Sequence, residues 1–198
     1  MSLGLTDLEP AERHRVVALG FGELVGSVVD WEAPTPVTGW VARDVVAHLL
    51  EWFPAFLASG GIELPPGPSV DVDPVGAWTA QCAAVQALLD DARTAVSTFV
   101  HPQAGTHQLA VAIDEFYVAD VFMHTWDLAR ACGREPDLDQ EFCGQLLDAM
   151  VPIDEMLRAS GHYGPRVAVP DDVDSMTRLM GFVGRDPTWQ PPTQRARR

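Results

Sequence analysis

Residues 120–131 read Asp-Val-Phe-Met-His-Thr-Trp-Asp-Leu-Ala-Arg-Ala. Apolar side chains fall on more than one side of any helix drawn through them, which is the pattern of a helix buried among others. Gly133, just past the end, predicts a left-handed cap for a helix over 113–132. The same stretch sets Asp120 and His124 four residues apart, one above the other on a helical face.

Working outward, the three- and four-residue steps of Val16, Val17, Leu19, Leu24, Val25, Val28 and Val29 predict a helix over 10–30, with Asp7 as N-cap and Pro10 in the first turn. Gly20, Gly22 and Gly26 would each weaken it by up to about 1 kcal/mol relative to alanine. Pro34 and Pro36 force extended backbone before a second helix over 41–58, where Val45, Leu49, Trp52 and Phe56 share a face and Pro54 is a kink. Residues 59–74, rich in proline and glycine, form a long crossover loop. Further helices are predicted over 75–99, 139–158 with a kink at Pro152, and 173–183. Residues 101–105 form a turn, and 108–112 fit either a short strand or an extended lead-in. Almost no period-two alternation is present, so the fold class is all-α. Four of the long helices would form a bundle with one crossover, followed by additional C-terminal helices. The 198 residues fit a single domain with a flexible tail at about 188–198.

The formal charge of −15, from 28 acidic and 13 basic residues, offers no basic face to a nucleic acid. Arg195, Arg197 and Arg198 are read as a solvated end. Cys82, Cys132 and Cys143 have no paired spacing and read as reduced thiols. With neither a signal-peptide pattern nor a run of about 18 apolar residues, the expectation is a cytoplasmic protein with no membrane partner.

Asp44 and His48 repeat the four-residue spacing on the second helix. With helices facing, His48, Asp120 and His124 supply two imidazoles and a carboxylate, a set suited to zinc, nickel or iron(II) with open positions. The same residues also fit a plainer role as hydrogen-bonded core histidines and a helical ion pair. Asp44 falls on the third helical residue and is assigned to capping or support of a ligand. Asp127 fits either support of the ligands or an ion pair with Arg130. His14, His101, His107 and His162 are expected on the surface or in loops, with His162 on a glycine-rich loop able to fold over a site. Nucleophile-elbow, phosphate-loop and dinucleotide motifs are missing, so catalytic and cofactor-binding residues are unassigned.

Together, Ala33-Pro-Thr-Pro, Gly39-Trp-Val-Ala-Arg-Asp-Val-Val-Ala-His-Leu, the 120–131 run and Gly184-Arg-Asp-Pro resemble an actinobacterial group of small metal-binding proteins. That group is related to the N-terminal domain of mycothiol-dependent maleylpyruvate isomerase and, more distantly, to the DinB-like metalloproteins. The resemblance implies a DinB-like four-helix bundle, His48, Asp120 and His124 as metal ligands, and a low-molecular-weight thiol such as mycothiol as co-substrate of a transferase or isomerase. The alternative is a non-catalytic metal-binding or interaction protein with a vestigial site. Three departures stand out. Asp120 is one methylene shorter than the isomerase glutamate, Val37 stands where the family commonly has cysteine, and Val41 where it often has a capping threonine or serine, a duty passed to Thr38. Read as one domain, the chain lacks the isomerase's second domain, so the expectation is of the metal site and not of maleylpyruvate isomerisation itself. Oligomeric state is open, a homodimer included.

Overall fold

A computed structural model describes residues 4–192; Arg195, Arg197, Arg198 and the rest of the expected tail from 193 on lie outside the described residues. The chain is mostly helical. A short turn, Leu5–Asp7, leads to α1 (Pro10–Val25), α2 (Ala42–Ser59), α3 (Pro74–Asp90) and the short α4 (Ala92–Ala95). Strands β1 (Thr98–His101) and β2 (Gly105–Gln108) form an antiparallel hairpin. Then α5 (Leu109–Ala112), a π-helical turn (Ile113–Val118) and α6 (Ala119–Ala131) run on without a break. Helix α7 (Gln140–Met150), a 3-10 turn (Val151–Ile153) at Pro152, α8 (Asp154–Ala159) and α9 (Ser175–Phe182) complete the chain.

Helices α1 and α2 each pack on both α3 and α6. Phe21, Val45, Leu49, Phe53, Val85, Ile113, Tyr117 and Leu128 fill the space between them and are all fully buried. Residues 60–73 cross over from α2 to α3. Helix α9 closes against α7 beside this assembly. Among the described residues no helix is long and apolar enough to cross a membrane.

Several boundaries differ from the sequence reading. Helix α1 stops at Val25, and its N-cap is Glu9, not Asp7. The Asp7 carboxylate instead accepts the Gly4 N–H at 3.2 Å. The buried face of α1 is Val17, Ala18, Phe21 and Val25, while Val16 and Leu19 are exposed. Gly22 has a packing reason: a Cβ there would lie 3.1 Å from the Trp78 indole nitrogen, so glycine lets α3 approach α1 closely.

The helix expected over 75–99 breaks at Asp91, whose side chain accepts the Thr94 N–H at 2.8 Å and starts a new turn. Beyond the break, residues 98–108 form the hairpin, a small sheet that the all-α expectation did not contain. Phe99 on β1 is buried against Phe56, ring centroids 5.3 Å apart. In the hairpin turn the His101 Nδ1 accepts the N–H groups of Gln103 and Ala104 at 3.2 and 3.1 Å.

Gly133, with φ +67°, ends α6 as expected. Its N–H reaches the Arg130 carbonyl and the Arg134 N–H reaches the Ala129 carbonyl, both at 2.9 Å, a Schellman closure.

His14 departs from its expected surface position. It lies on the core face of α1, 2% exposed, with Nδ1 2.7 Å from the Gln86 side-chain oxygen and Nε2 without a partner among the described residues. Burial, ahead of the opposing Gln86 hydrogen bond, holds its pKa below the ordinary 6.5. Below about pH 6.5 the unfolded chain therefore binds a proton that the folded chain refuses, and stability falls with pH across that window. The expected result is that urea midpoints of wild type drop between pH 7.5 and 5.5 more than those of His14→Gln. Equal drops would remove His14 from the account.

Candidate metal centre

The site is assembled by two helix faces and two loops. On α2, Asp44 is spent at the helix start: its Oδ2 accepts the Val41 N–H at 2.8 Å, worth about 1 kcal/mol. Asp44 is thus a cap, as expected, but Thr38 does not take the duty expected of it: the start of α2 has no side-chain N-cap bond, and the Asp44 N–H meets the Val41 carbonyl at 2.9 Å instead. One turn on, His48 projects toward α6.

Three donors converge there. The His48 Nε2 lies 3.2 Å from Asp120 Oδ2, and the His124 Nε2 lies 3.6 Å from Asp120 Oδ1. One ligand atom from each of His48, Asp120 and His124 falls within 4.8 Å of the others. Donors about 2.0–2.2 Å from a tetrahedral zinc ion are about 3.4 Å from one another, so the separations suit a single ion of that size. Held without an ion, the His48–Asp120 contact is a hydrogen bond, while His124 Nε2 stands just beyond hydrogen-bond reach of Asp120.

Asp120 is a carboxylate here. Burial alone would raise its pKa, but the nearby His124, His48 and Arg185 outweigh that and hold it below the ordinary carboxylate value. The Trp52 indole N–H donates to its Oδ2 at 2.9 Å, fixing the carboxylate plane.

Behind His124 lies Asp127, fully buried, with Oδ2 2.9 Å from His124 Nδ1. Of the two roles open to Asp127 from sequence, ligand support or an ion pair with Arg130, the ion pair is overturned: Asp127 bonds His124, and its cation is Arg185. Arg185 donates to Asp127 through Nη2 at 2.8 Å and Nε at 3.3 Å, while Arg130 pairs with Glu135. Burial pushes the Asp127 pKa up, yet Arg185 and His124 bring it below the ordinary value. A carboxylate only accepts, so His124 carries its proton on Nδ1 and turns the lone pair of Nε2 toward Asp120 and His48.

Aromatic rings wall the cluster. Trp40 stacks on His124 at 5.8 Å and 17° and lies 5.1 Å from His48; Trp52 is 6.2 Å from His48. Trp40 is held over the imidazoles by the Pro-Thr-Pro segment. The Thr35 N–H and hydroxyl both donate to the Trp40 carbonyl, at 3.0 and 3.2 Å, and Gly39 turns the chain at φ +82°. Neither tryptophan is marked as a site residue by sequence; their helical and turn positions read equally well as core packing.

In the glycine-rich loop the more buried residue is Tyr163 and not His162. His162 is exposed, whereas Tyr163 is half-buried close enough to Asp120 and Arg185 for their charges to act on it. Burial chiefly, then Asp120, pushes its hydroxyl up to about 12, so Tyr163 stays a neutral phenol. Cys82 and Cys143, free thiols pushed by burial up to about 12, are poorly suited to supply a thiolate. Two cavities, of about 370 Å³ beside Phe182 and Arg166 and about 250 Å³ beside Pro54 and Gln81, lie away from the triad.

Comparison with protein-family models, with curated proteins and with solved structures found no match to this chain.

Proposed function

We propose that this chain is a divalent-metal-binding protein of the DinB-like type, a four-helix bundle in which His48, Asp120 and His124 are the ligands of zinc, or of nickel or iron(II). The observation that carries the reading is the orientation of His124: Nδ1 lies against the Asp127 carboxylate, and Nε2 faces the two other donors. Metal-ligating histidines are held in this way, the second nitrogen bonded to a carboxylate. The pairing of α1 and α2 with α3 and α6, and the long crossover between α2 and α3, support the bundle assignment.

The enzymatic form of the proposal is a transferase or isomerase dependent on mycothiol or another small thiol. When bound, the ion supplies Lewis acidity, lowering the pKa of a thiol or water. The chain's own groups do the rest. Asp120 contributes a fixed negative charge, Trp52 orients that carboxylate, and Trp40 keeps bulk water off one side of both imidazoles. The Tyr163 hydroxyl, neutral across the ordinary pH range, holds a proton near Asp120.

The second reading is a non-catalytic metal-binding or interaction protein in which the same residues form a vestigial site. Titrating the cobalt(II)-loaded protein with mycothiol separates the two. A new thiolate-to-metal absorption band is expected of the thiol-dependent enzyme. Cobalt uptake with no such band at millimolar thiol selects the non-catalytic protein.

A further inference from the structure

We infer that Arg185 is the positioning residue of this site: it pins Asp127 so that His124 presents Nε2, and it cancels the Asp127 charge so that Asp120 carries the site's one uncompensated negative charge. This rests on the metal-binding reading above.

Arg185 reaches the site because of how α9 ends. Gly184, at φ +90°, turns the chain back; its N–H meets the Gly181 carbonyl at 3.2 Å and the Arg185 N–H meets the Met180 carbonyl at 2.9 Å. A Cβ at Gly184 would lie 3.0 Å from the Pro165 carbonyl, so glycine is needed for space as well as for φ. The guanidinium then grips Asp127 with two N–H groups, at 2.8 and 3.3 Å, and its remaining terminal nitrogen donates to the Val183 carbonyl at 3.2 Å. Its side chain is only 14% exposed and that of Asp127 is 0% exposed. Such a fork fixes a carboxylate in both distance and plane, which a lysine cannot do. Asp127 Oδ2 receives Arg185 on one side and His124 Nδ1 on the other, so the arginine acts on the imidazole through one shared atom.

Charge gives the same residue a second effect. Asp120 and Asp127 bring two negative charges and Arg185 one positive, so with neutral imidazoles the site sums to −1. A divalent ion leaves +1, and a monoanion such as thiolate, carboxylate or azide is the ligand class that completes neutrality. Without Arg185 the sum with the ion is zero and that attraction is gone.

The rival role for Arg185 is purely structural, a tie between the chain after α9 and α6. The tautomer of His124 distinguishes them, and it is read without metal. Long-range proton–nitrogen correlation spectra of the metal-free protein at about pH 8, above the ordinary histidine range, should show one Nδ1–H tautomer for His124 in wild type. Arg185→Gln should give a mixture, and Arg185→Lys, which keeps the charge but not the fork, a mixture as well. On cobalt-loaded protein, Arg185→Gln should lose most azide affinity, while Arg185→Lys keeps azide affinity within about threefold. A folded Arg185→Lys or Arg185→Gln protein with the His124 tautomer unchanged overturns the inference, as does unchanged azide affinity in Arg185→Gln. Wild type that takes up no cobalt defeats the metal reading instead, and the metal-free spectra then decide the positioning role alone.

Discussion

Replacing His124 with alanine should lower divalent-metal affinity by more than about a hundredfold, because it removes a ligand itself and not merely the kind of supporting group whose loss costs 10- to 100-fold. The same substitution strands Asp127, which loses one of its two partners but keeps Arg185, so the fold should survive. His48→Ala should act in the same direction. Its ring is more exposed than that of His124, at 29% against 5%, so a water molecule has room to replace it and the loss should be smaller. Competition titration against a chromophoric chelator, on protein prepared free of metal, measures both. Metal content equal to wild type in the two variants would remove the centre from consideration.

Phe53→Ala should cost about 3–5 kcal/mol, the usual range for deleting a buried phenyl group, and a large fraction of the roughly 5–15 kcal/mol that holds a domain folded. Phe53 is fully buried and lies flat on Tyr117, ring centroids 3.9 Å apart at 11°. It also touches Trp52 edge-on at 5.5 Å. Those two neighbours tie the cavity to the site: Tyr117 precedes Asp120 by one turn of the same continuous helix, and Trp52 hydrogen-bonds the Asp120 carboxylate. Guanidinium unfolding with an unchanged slope should show the full loss in the midpoint. A loss under about 1 kcal/mol would mean that Tyr117 and Trp52 collapse into the space, and the link from core to carboxylate would be gone.

The triad is legible in part because each helix carries a spacing that physics interprets: Asp120 and His124 must share a face if residues 120–131 are helical. Pairing His48 with them needs the resemblance, since no local pattern says which helices face each other. Asp44 is separable from the ligands on position alone, and its bond to the Val41 N–H agrees. Arg185 leaves no such trace. It stands 58 residues from Asp127 in a short Gly-Arg-Asp-Pro run, and a fork between distant segments has no periodicity. His14 does carry a signal, because it shares a helical face with Val17, Ala18, Phe21 and Val25, but its neighbours Arg13 and Arg15 give the segment a solvated look. The hairpin is hidden for the converse reason: Val96 and Phe99 continue the three- and four-residue steps of α3, and only the Asp91 side chain, bonding to Thr94, interrupts them.

The π-helical turn between α5 and α6 has its own consequence. The Ala119 N–H bonds the Asp114 carbonyl, five residues back, so this turn accommodates more residues than an α-helical one. Each residue in an α-helix advances the face by about 100°, and a wide turn absorbs such an increment locally. Leu109 and Ala112, buried before it, and Asp120 and His124 after it therefore keep separate clocks on one rod. The residues before the turn can be timed to the core while Asp120 and His124 are timed to α2, and neither setting disturbs the other.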